Sequence, residues 1–408
     1  MSNTAVFFVY ILNCFVNGSE LKRERVRNVN WEELFHLSEI HCVQGIVWAV
    51  LKESNLNNIP AKVASNFNSA FMATINNSIR QEFALDKIKN KLNEYNVKHV
   101  MMKGSVIKNY YPVRELRTMG DIDYLISEES RNLCHRAMTE LGYELEVKGA
   151  SVWEYSSNLA YVEVHTKIIY QKLFLGIDFT KYFSDVFENL VLVDKNTYEM
   201  TPEYHFIYII VHLSKHLYKV GCGVRMVMDI PVFINHFGKE LDWNILESKF
   251  EEIGLWGFVK NLMYLCVKYF DCALPDRLYN KDDRIAENLM EYILSAGVFG
   301  KYNRNEFDVK YSIDNVNKKG IGRLTGKVDT VRKIVFPDYE TMCNTCGWFK
   351  GKPKYMLPLG WIKRLYLNVR YKKDLIKDKL SGALSESNER KKHYEVMSMI
   401  GLIKRKEE

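Results

Sequence analysis

The chain has 408 residues, of which 47% are apolar, 26% charged and 13% aromatic, with a formal net charge of +7. Those proportions exclude a disordered or fibrous chain, and the length implies two or three packed units at roughly 100–200 residues per domain. The charge is uneven: residues 301–408 hold 25 Lys+Arg against 13 Asp+Glu, so the excess of basic groups belongs to the tail, where it suits an acidic partner such as a membrane surface or nucleic acid.

Residues 5–16 are apolar except for Asn13. The run is shorter than the roughly 18–20 residues of a spanning helix and has no basic stretch before it, so it reads as a buried helix rather than an anchor or an export signal. The expected location is cytoplasmic, with peripheral attachment at a membrane as the role open to the tail. On that basis the eight scattered cysteines are expected to be reduced thiols. The chain reads as helical through residue 95, with an apolar period near 3.6 over 31–51 (Trp31, Leu34, Leu37, Ile40, Val43, Val47, Val50) and again over 83–95. Asn30 is placed to cap the first of these.

The pattern then changes. Residues 97–102 form a short apolar run, Lys103-Gly104-Ser105 breaks it, and 106–111 reads as a short helix ended by Pro112. Asp121-Ile122-Asp123-Tyr124-Leu125-Ile126 interleaves apolar residues with two carboxylates in strand fashion, and 127–141 follows as a helix closed by Gly142. Residues 160–169 alternate Tyr161, Glu163, His165 and Lys167 with Val162, Val164, Thr166 and Ile168, a strand pattern. Beyond Pro202, helices are expected over 203–218, 223–237, 243–253, 256–270 and 284–297. Residues 301–330 read as a surface connection, 361–380 as a basic amphipathic helix and 381–392 as a polar stretch.

Two carboxylates separated by one residue on a strand point to one face with β-carbons about 7 Å apart, which suits oxygen ligation of one hard cation or a pair. Asp121 and Asp123 meet that condition, and Glu163 on a neighbouring strand would supply a third carboxylate. Brought together, the three repel, and at least one is expected to take up a proton more readily than a free carboxylate. Gly104 lets the backbone approach a phosphate, and Ser105 opens a helix whose free N–H groups favour an anion.

The order apolar-Gly104-Ser105, Asp121-Ile122-Asp123 and Val162-Glu163-Val164 resembles the polymerase-β-type nucleotidyltransferase superfamily. More narrowly, Met102-Lys103-Gly104-Ser105, Tyr110-Tyr111-Pro112, Arg117-Thr118-Met119-Gly120-Asp121-Ile122-Asp123, Gly142-Tyr143 and Glu163-Val164-His165 resemble a bacterial family of uncharacterised nucleotidyltransferases. Trp31, His41, His212, His216, Arg225, Asp229, Trp243, Pro275, Phe336-Pro337 and Leu357-Pro358 extend the resemblance over most of the chain. The fifteen-residue spacer between Ser105 and Asp121 is longer than is usual in the superfamily.

The resemblance implies an α/β (α+β) fold: a small mixed nucleotidyltransferase sheet at 78–175, a helical region at 1–77, a helical acceptor-side domain at 176–300 and a basic region at 301–408. It implies Mg²⁺- or Mn²⁺-dependent transfer of an NMP group from an NTP to a hydroxyl or phosphate of an acceptor, releasing pyrophosphate. Asp121, Asp123 and Glu163 would bind the metal and do the chemistry, and Lys103, Gly104, Ser105 and Arg117 would hold the nucleotide. Candidates for the acceptor side are His165, the i, i+4 pair His212 and His216, and the pair Arg225 and Asp229. Each has a plain structural alternative: a loop arginine at 117, a packed polar pair at 212 and 216, a helix ion pair at 225 and 229. Cys343 and Cys346 form a single Cys-x-x-Cys, and zinc normally needs a second pair. The 361–380 helix would dock on the protein or bind a membrane surface. A catalytically silent binding protein of this fold and a toxin-type enzyme acting on tRNA or protein are the rival functions, nucleic acid being the less favoured partner.

Overall fold

The N-terminal apolar run closes into α1 (Asn3–Asn17), started by a bond from the Ala5 N–H to the Ser2 hydroxyl and stopped by Gly18 at φ 59°, where a side chain would be strained. The computed structural model describes residues 1–54, 56, 58–169, 179–219, 221–298, 332, 335–371 and 388–403. Asn30 caps α2 (Trp31–Ile40) by accepting from the N–H groups of Glu32 and Glu33. The single helical period expected over 31–51 is two helices: Cys42 at φ 54° breaks it, and α3 (Gln44–Glu53) resumes. Both helices bury apolar residues in the same core, so the spacing alone does not register the break. The 34-residue α4 (Ala61–Glu94) follows.

Seven strands make one mixed sheet: β1 (His99–Met102), β2 (Ile122–Ile126), β3 (Glu144–Lys148), β4 (Val152–Ser156), β5 (Tyr161–His165), β6 (Leu190–Asp194) and β7 (Thr197–Met200), in the order β3-β4-β5-β2-β1-β7-β6. The β1–β7 and β2–β5 pairs are parallel and the others antiparallel. Between the strands lie α5 (Gly104–Ile107), α6 (Arg131–Glu140) and α7 (Phe179–Tyr182). The helix expected over 106–111 therefore starts at Gly104 and passes into a 3₁₀ turn at Lys108–Tyr110, and the strand expected over 160–169 stops at His165.

Beyond the sheet come α8 (Pro202–Lys219), α9 (Val224–Phe237), α10 (Trp243–Glu252), α11 (Trp256–Phe270) and α12 (Asp283–Ala296), close to the expected spans. The basic region contributes α13 (Tyr339–Thr345), α14 (Leu357–Tyr371) and α15 (Asn388–Met399). The expected connection at 301–330, the end of the expected 361–380 helix and most of the polar stretch 381–392 lie outside the described residues. Among the described residues, no helix is long and apolar enough to cross a membrane.

Every residue of β2 is buried, because both faces of this central strand are covered. Ile122, Tyr124 and Ile126 pack with Ala84, Leu85 and Ile88 of α4 and with Cys134 and Met138 of α6. On the other face, Leu125 joins Val100 and Met102 in a larger cluster that unites residues of α1–α3 with those of α8–α12. By strand alternation Asp123 shares the face of Leu125, and it is on this side that the polar site is built.

Candidate active site

The antiparallel register pairing Met102 with Asp123 delivers the turn after β1 to the start of β2. The fifteen-residue spacer is thus immaterial to reach: it is taken up by the 3₁₀ turns at Lys108–Tyr110 and Arg114–Leu116, and the strand pairing closes the gap. Lys103, at the turn, has φ 52°. A non-glycine residue there carries strain of order 1–3 kcal/mol, held only where surrounding contacts dictate it. Its Nζ donates to Oδ1 of Asp123 at 2.6 Å.

The parallel register of β2 and β5 sets Asp123 beside Glu163, on neighbouring strands and one face. His165, two residues on, donates from Nε2 to Oδ1 of Asp123 at 2.8 Å and lies 3.2 Å from Oε2 of Glu163. Ligating atoms of Asp123, Glu163 and His165 lie within 4.8 Å of one another. Burial opposes charge on Asp123, yet Lys103 and the His165 hydrogen bond outweigh it and hold the carboxyl well below the usual range. Asp121 shifts the other way: burial first, then the charge of Asp123, push it up to about 6. The expectation that at least one of the three carboxyls gains proton affinity is met at Asp121. Burial disfavours protonation of His165, but its bonds to Asp123 and Glu163 raise its pKa overall.

One stripe of α8 faces these groups electrostatically: Tyr208, His212 and Lys215, spaced four and three apart, all sense the charge of Lys103. His212 and His216 are joined through their Nε2 atoms at 3.2 Å, so one is donor and the other acceptor, and burial lowers the pKa of both. Lys215 makes no hydrogen bond or ion pair among the described residues. Burial, then Lys103 and Lys219, bring its pKa down to about 7, while Asp123 and Glu163 resist. The Tyr208 hydroxyl and Nδ1 of His165 are likewise buried without partners. Reading the sequence passed over Tyr208 and Lys215; their alignment with His212 on one helical face was the available signal.

Arg117 stands elsewhere. Its Nε and Nη2 grip the two oxygens of Asp229 at 3.2 and 2.6 Å, Nη1 bonds its neighbour's carbonyl at Thr118, and the Tyr111 hydroxyl completes Asp229 at 2.7 Å. Arg225 donates to the Thr118 carbonyl and hydroxyl at 2.8 and 2.6 Å, so the hydrogen bonds of Asp229 run to Arg117 and Tyr111 rather than to its i, i+4 neighbour. With Gln81 holding the Met119 carbonyl at 3.1 Å, the loop leading into Asp121 is pinned from three sides. A Cβ on Gly104 would collide with Nη1 of Arg117 and meet the Met119 side chain at 2.9 Å, so this glycine makes room for the protein itself. Ser105 is buried, its hydroxyl lacks a partner, and it lines a cavity of about 420 Å³ with Glu82, Asp86, Lys89 and Arg114 on the α4 side of β1.

The donor set fits a divalent cation through the Asp123 and Glu163 oxygens, with the His165 nitrogen as a third ligand atom. Among the described residues no second such group appears, and Cys343 and Cys346 belong to none. A family model described as an uncharacterised nucleotidyltransferase matches residues 27–271, which takes in the sheet and α1's successors through α11. No curated protein and no solved structure matches the chain.

Proposed function

The chain belongs to the family of uncharacterised nucleotidyltransferases, and from that premise we propose that it transfers an NMP group from an NTP to an acceptor hydroxyl or phosphate, with Mg²⁺ or Mn²⁺. The observation that carries the reading is the Asp123, Glu163 and His165 cluster, with Asp121 beside it and an unpaired Lys215 within its field. A bound divalent cation would supply charge neutralisation on the attacking and leaving oxygens. An acceptor oxygen attacks the α-phosphorus, the bond to the bridging oxygen breaks, and pyrophosphate leaves with that electron pair.

The chain's own groups have distinct tasks in this scheme. Asp123 and Glu163 would hold the cation, with the His165 nitrogen as third ligand atom and the Asp121 carboxyl beside them; Oδ2 of Asp123 is the oxygen that neither Lys103 nor His165 engages. Glu163, half-buried, takes the proton of an acceptor hydroxyl. Lys103 and the backbone of Gly104 and Ser105 border the phosphates, and Lys215 finds in the triphosphate the anion it lacks among the described residues. His212 and His216 border the acceptor. Arg117, Arg225 and Asp229 support the turn from behind.

The test is incubation with each NTP, Mg²⁺ and cell extract, followed by mass spectrometry for a nucleotidylated product, beside Mg-ATP stabilisation of the wild type, Asp123→Asn and Glu163→Gln. A wild type that gains stability where both variants do not supports the site; equal gains in all three remove it. One feature favours a catalytically silent binder as second reading: Lys103 and His165 both converge on Oδ1 of Asp123 and compete with a cation for its charge. A wild-type melting temperature unmoved by any Mg-NTP would decide for that reading.

A further inference from the structure

In the basic region, Phe349 and Met342 are buried, and α14 is seated on them through Gly360, whose Cβ would lie 2.5 Å from the Phe349 ring. Trp361 donates from its indole to the Pro337 carbonyl at 2.7 Å, and Lys350 ties the segment to the sheet through Glu128 at 3.0 Å and the Ala150 carbonyl at 3.3 Å. One side of the helix thus docks on the protein. The opposite side does not: Tyr355, Leu359, Ile362 and Tyr366 are 82%, 62%, 65% and 58% exposed. Their spacing of four, three and four lines them up on one face of α14 and the turn before it.

This stripe is flanked by positive charge. Lys363 and Arg370 fall on the same exposed side, Lys352 and Lys354 precede the helix in exposed positions, and no Asp or Glu occurs between residues 341 and 371. Four large apolar side chains facing water is an unusual concentration for a helix already docked on its other side. Nucleic acid would satisfy the cations yet leave Leu359 and Ile362 in water. An anionic bilayer surface accepts both: headgroups meet the cations, and the apolar side chains enter the acyl boundary while Lys and Arg stems reach back to the phosphates.

We propose that the exposed face of α14 is a docking surface for an anionic membrane, holding the protein in the plane of the lipid headgroups. The full-length protein is mixed with vesicles of phosphatidylcholine, with or without phosphatidylglycerol, and floated on a density gradient. It should rise with the anionic vesicles and stay behind with the neutral ones. Leu359→Asp combined with Ile362→Asp should abolish flotation, and Lys363→Gln with Arg370→Gln should weaken it by roughly fivefold per charge removed. All four positions are exposed, so both variants keep the wild-type melting temperature and the wild-type response to Mg-ATP, which separates this surface from the nucleotide site. Failure of the wild type to float with anionic vesicles overturns the proposal, as does flotation of the Leu359→Asp, Ile362→Asp protein at the wild-type level. Salt-sensitive binding to a mixed-sequence RNA without any flotation would assign the surface to nucleic acid instead.

Discussion

Two buried charge systems meet at the turn after β1, and they are built on opposite principles. Around Asp229 the carboxylate is fully answered: Arg117 engages both oxygens, Tyr111 adds a third bond, and Arg225 holds the Thr118 carbonyl and hydroxyl through Nη1, leaving its own Nε as the one buried donor of this group without a partner among the described residues. Around Asp123 the sum is left open. Lys103 and His165 share one oxygen, Asp121 is pushed toward its protonated form, and among the described residues Lys215 has no counter-ion and the Tyr208 hydroxyl and Nδ1 of His165 are buried without partners. A closed network fixes geometry, whereas an open one reserves its free valences for something that arrives. Histidines show the same contrast. His41, accepting from the Val224 N–H and donating to the Leu294 carbonyl, is kept neutral with a pKa of about 4, while His165 among carboxylates is shifted upward.

The sharpest way to break the contrast is at Asp229. Asp229→Asn leaves the buried Arg117 uncompensated and should cost about 3–5 kcal/mol in urea unfolding, with Mg-ATP affinity of the folded protein nearly unchanged. A large loss of affinity there would join the two systems into one. Next in size, Asp123→Asn should lower turnover by roughly 10²–10³-fold and remove Mg-ATP stabilisation. It should also lower stability without metal, since the native state holds this carboxyl ionised beside Lys103; Asp121→Asn, which removes repulsion from Asp123, should raise it. Parallel changes in the two variants would contradict the electrostatic assignment.

The pH dependence of stability tests the closed side. His41 has a folded pKa near 4 against an ordinary value of 6.5, so the folded state binds fewer protons than the unfolded chain between those values. Its contribution is complete above 6.5 and is lost as pH falls toward 4, by about 1–3 kcal/mol. His205, His212 and His216, also depressed by burial, act in the same direction. Replacing His41 by Gln should make the acid-side fall in melting temperature shallower, and an unchanged slope would acquit His41. The smallest effect is expected at Lys215: Lys215→Met should weaken Mg-NTP binding roughly tenfold in a titration while leaving the unliganded protein as stable as before or more so.

Much of this was legible in the residues. Asp121, Asp123 and Glu163 were found because period-2 alternation puts carboxylates on a known face, and the helices from 202 to 296 because their apolar stripes are long. Two hairpins were not. The run Leu190-Val191-Leu192-Val193 of β6 has no alternation to read, and its side chains at 191–193 are exposed on the sheet's edge. The roles of Arg117 and Asp229 were equally out of reach, because 112 residues separate the partners of that ion pair and no local spacing announces it. Lys215 lay hidden between two histidines whose own spacing drew notice first.

The close approach of Arg117 to Gly104 has a consequence written in ancestry rather than energy. A methyl group at position 104 would fall on Nη1 of Arg117 and press on the Met119 side chain, so the arginine would have to give way from its present position. Chains descended from a common parent should therefore change these two positions together: wherever alanine or serine replaces the glycine, a shorter residue should stand in place of the arginine, and the acid at 229 should be released from its pairing. Thirteen positions apart in the chain, the two sites would drift as one.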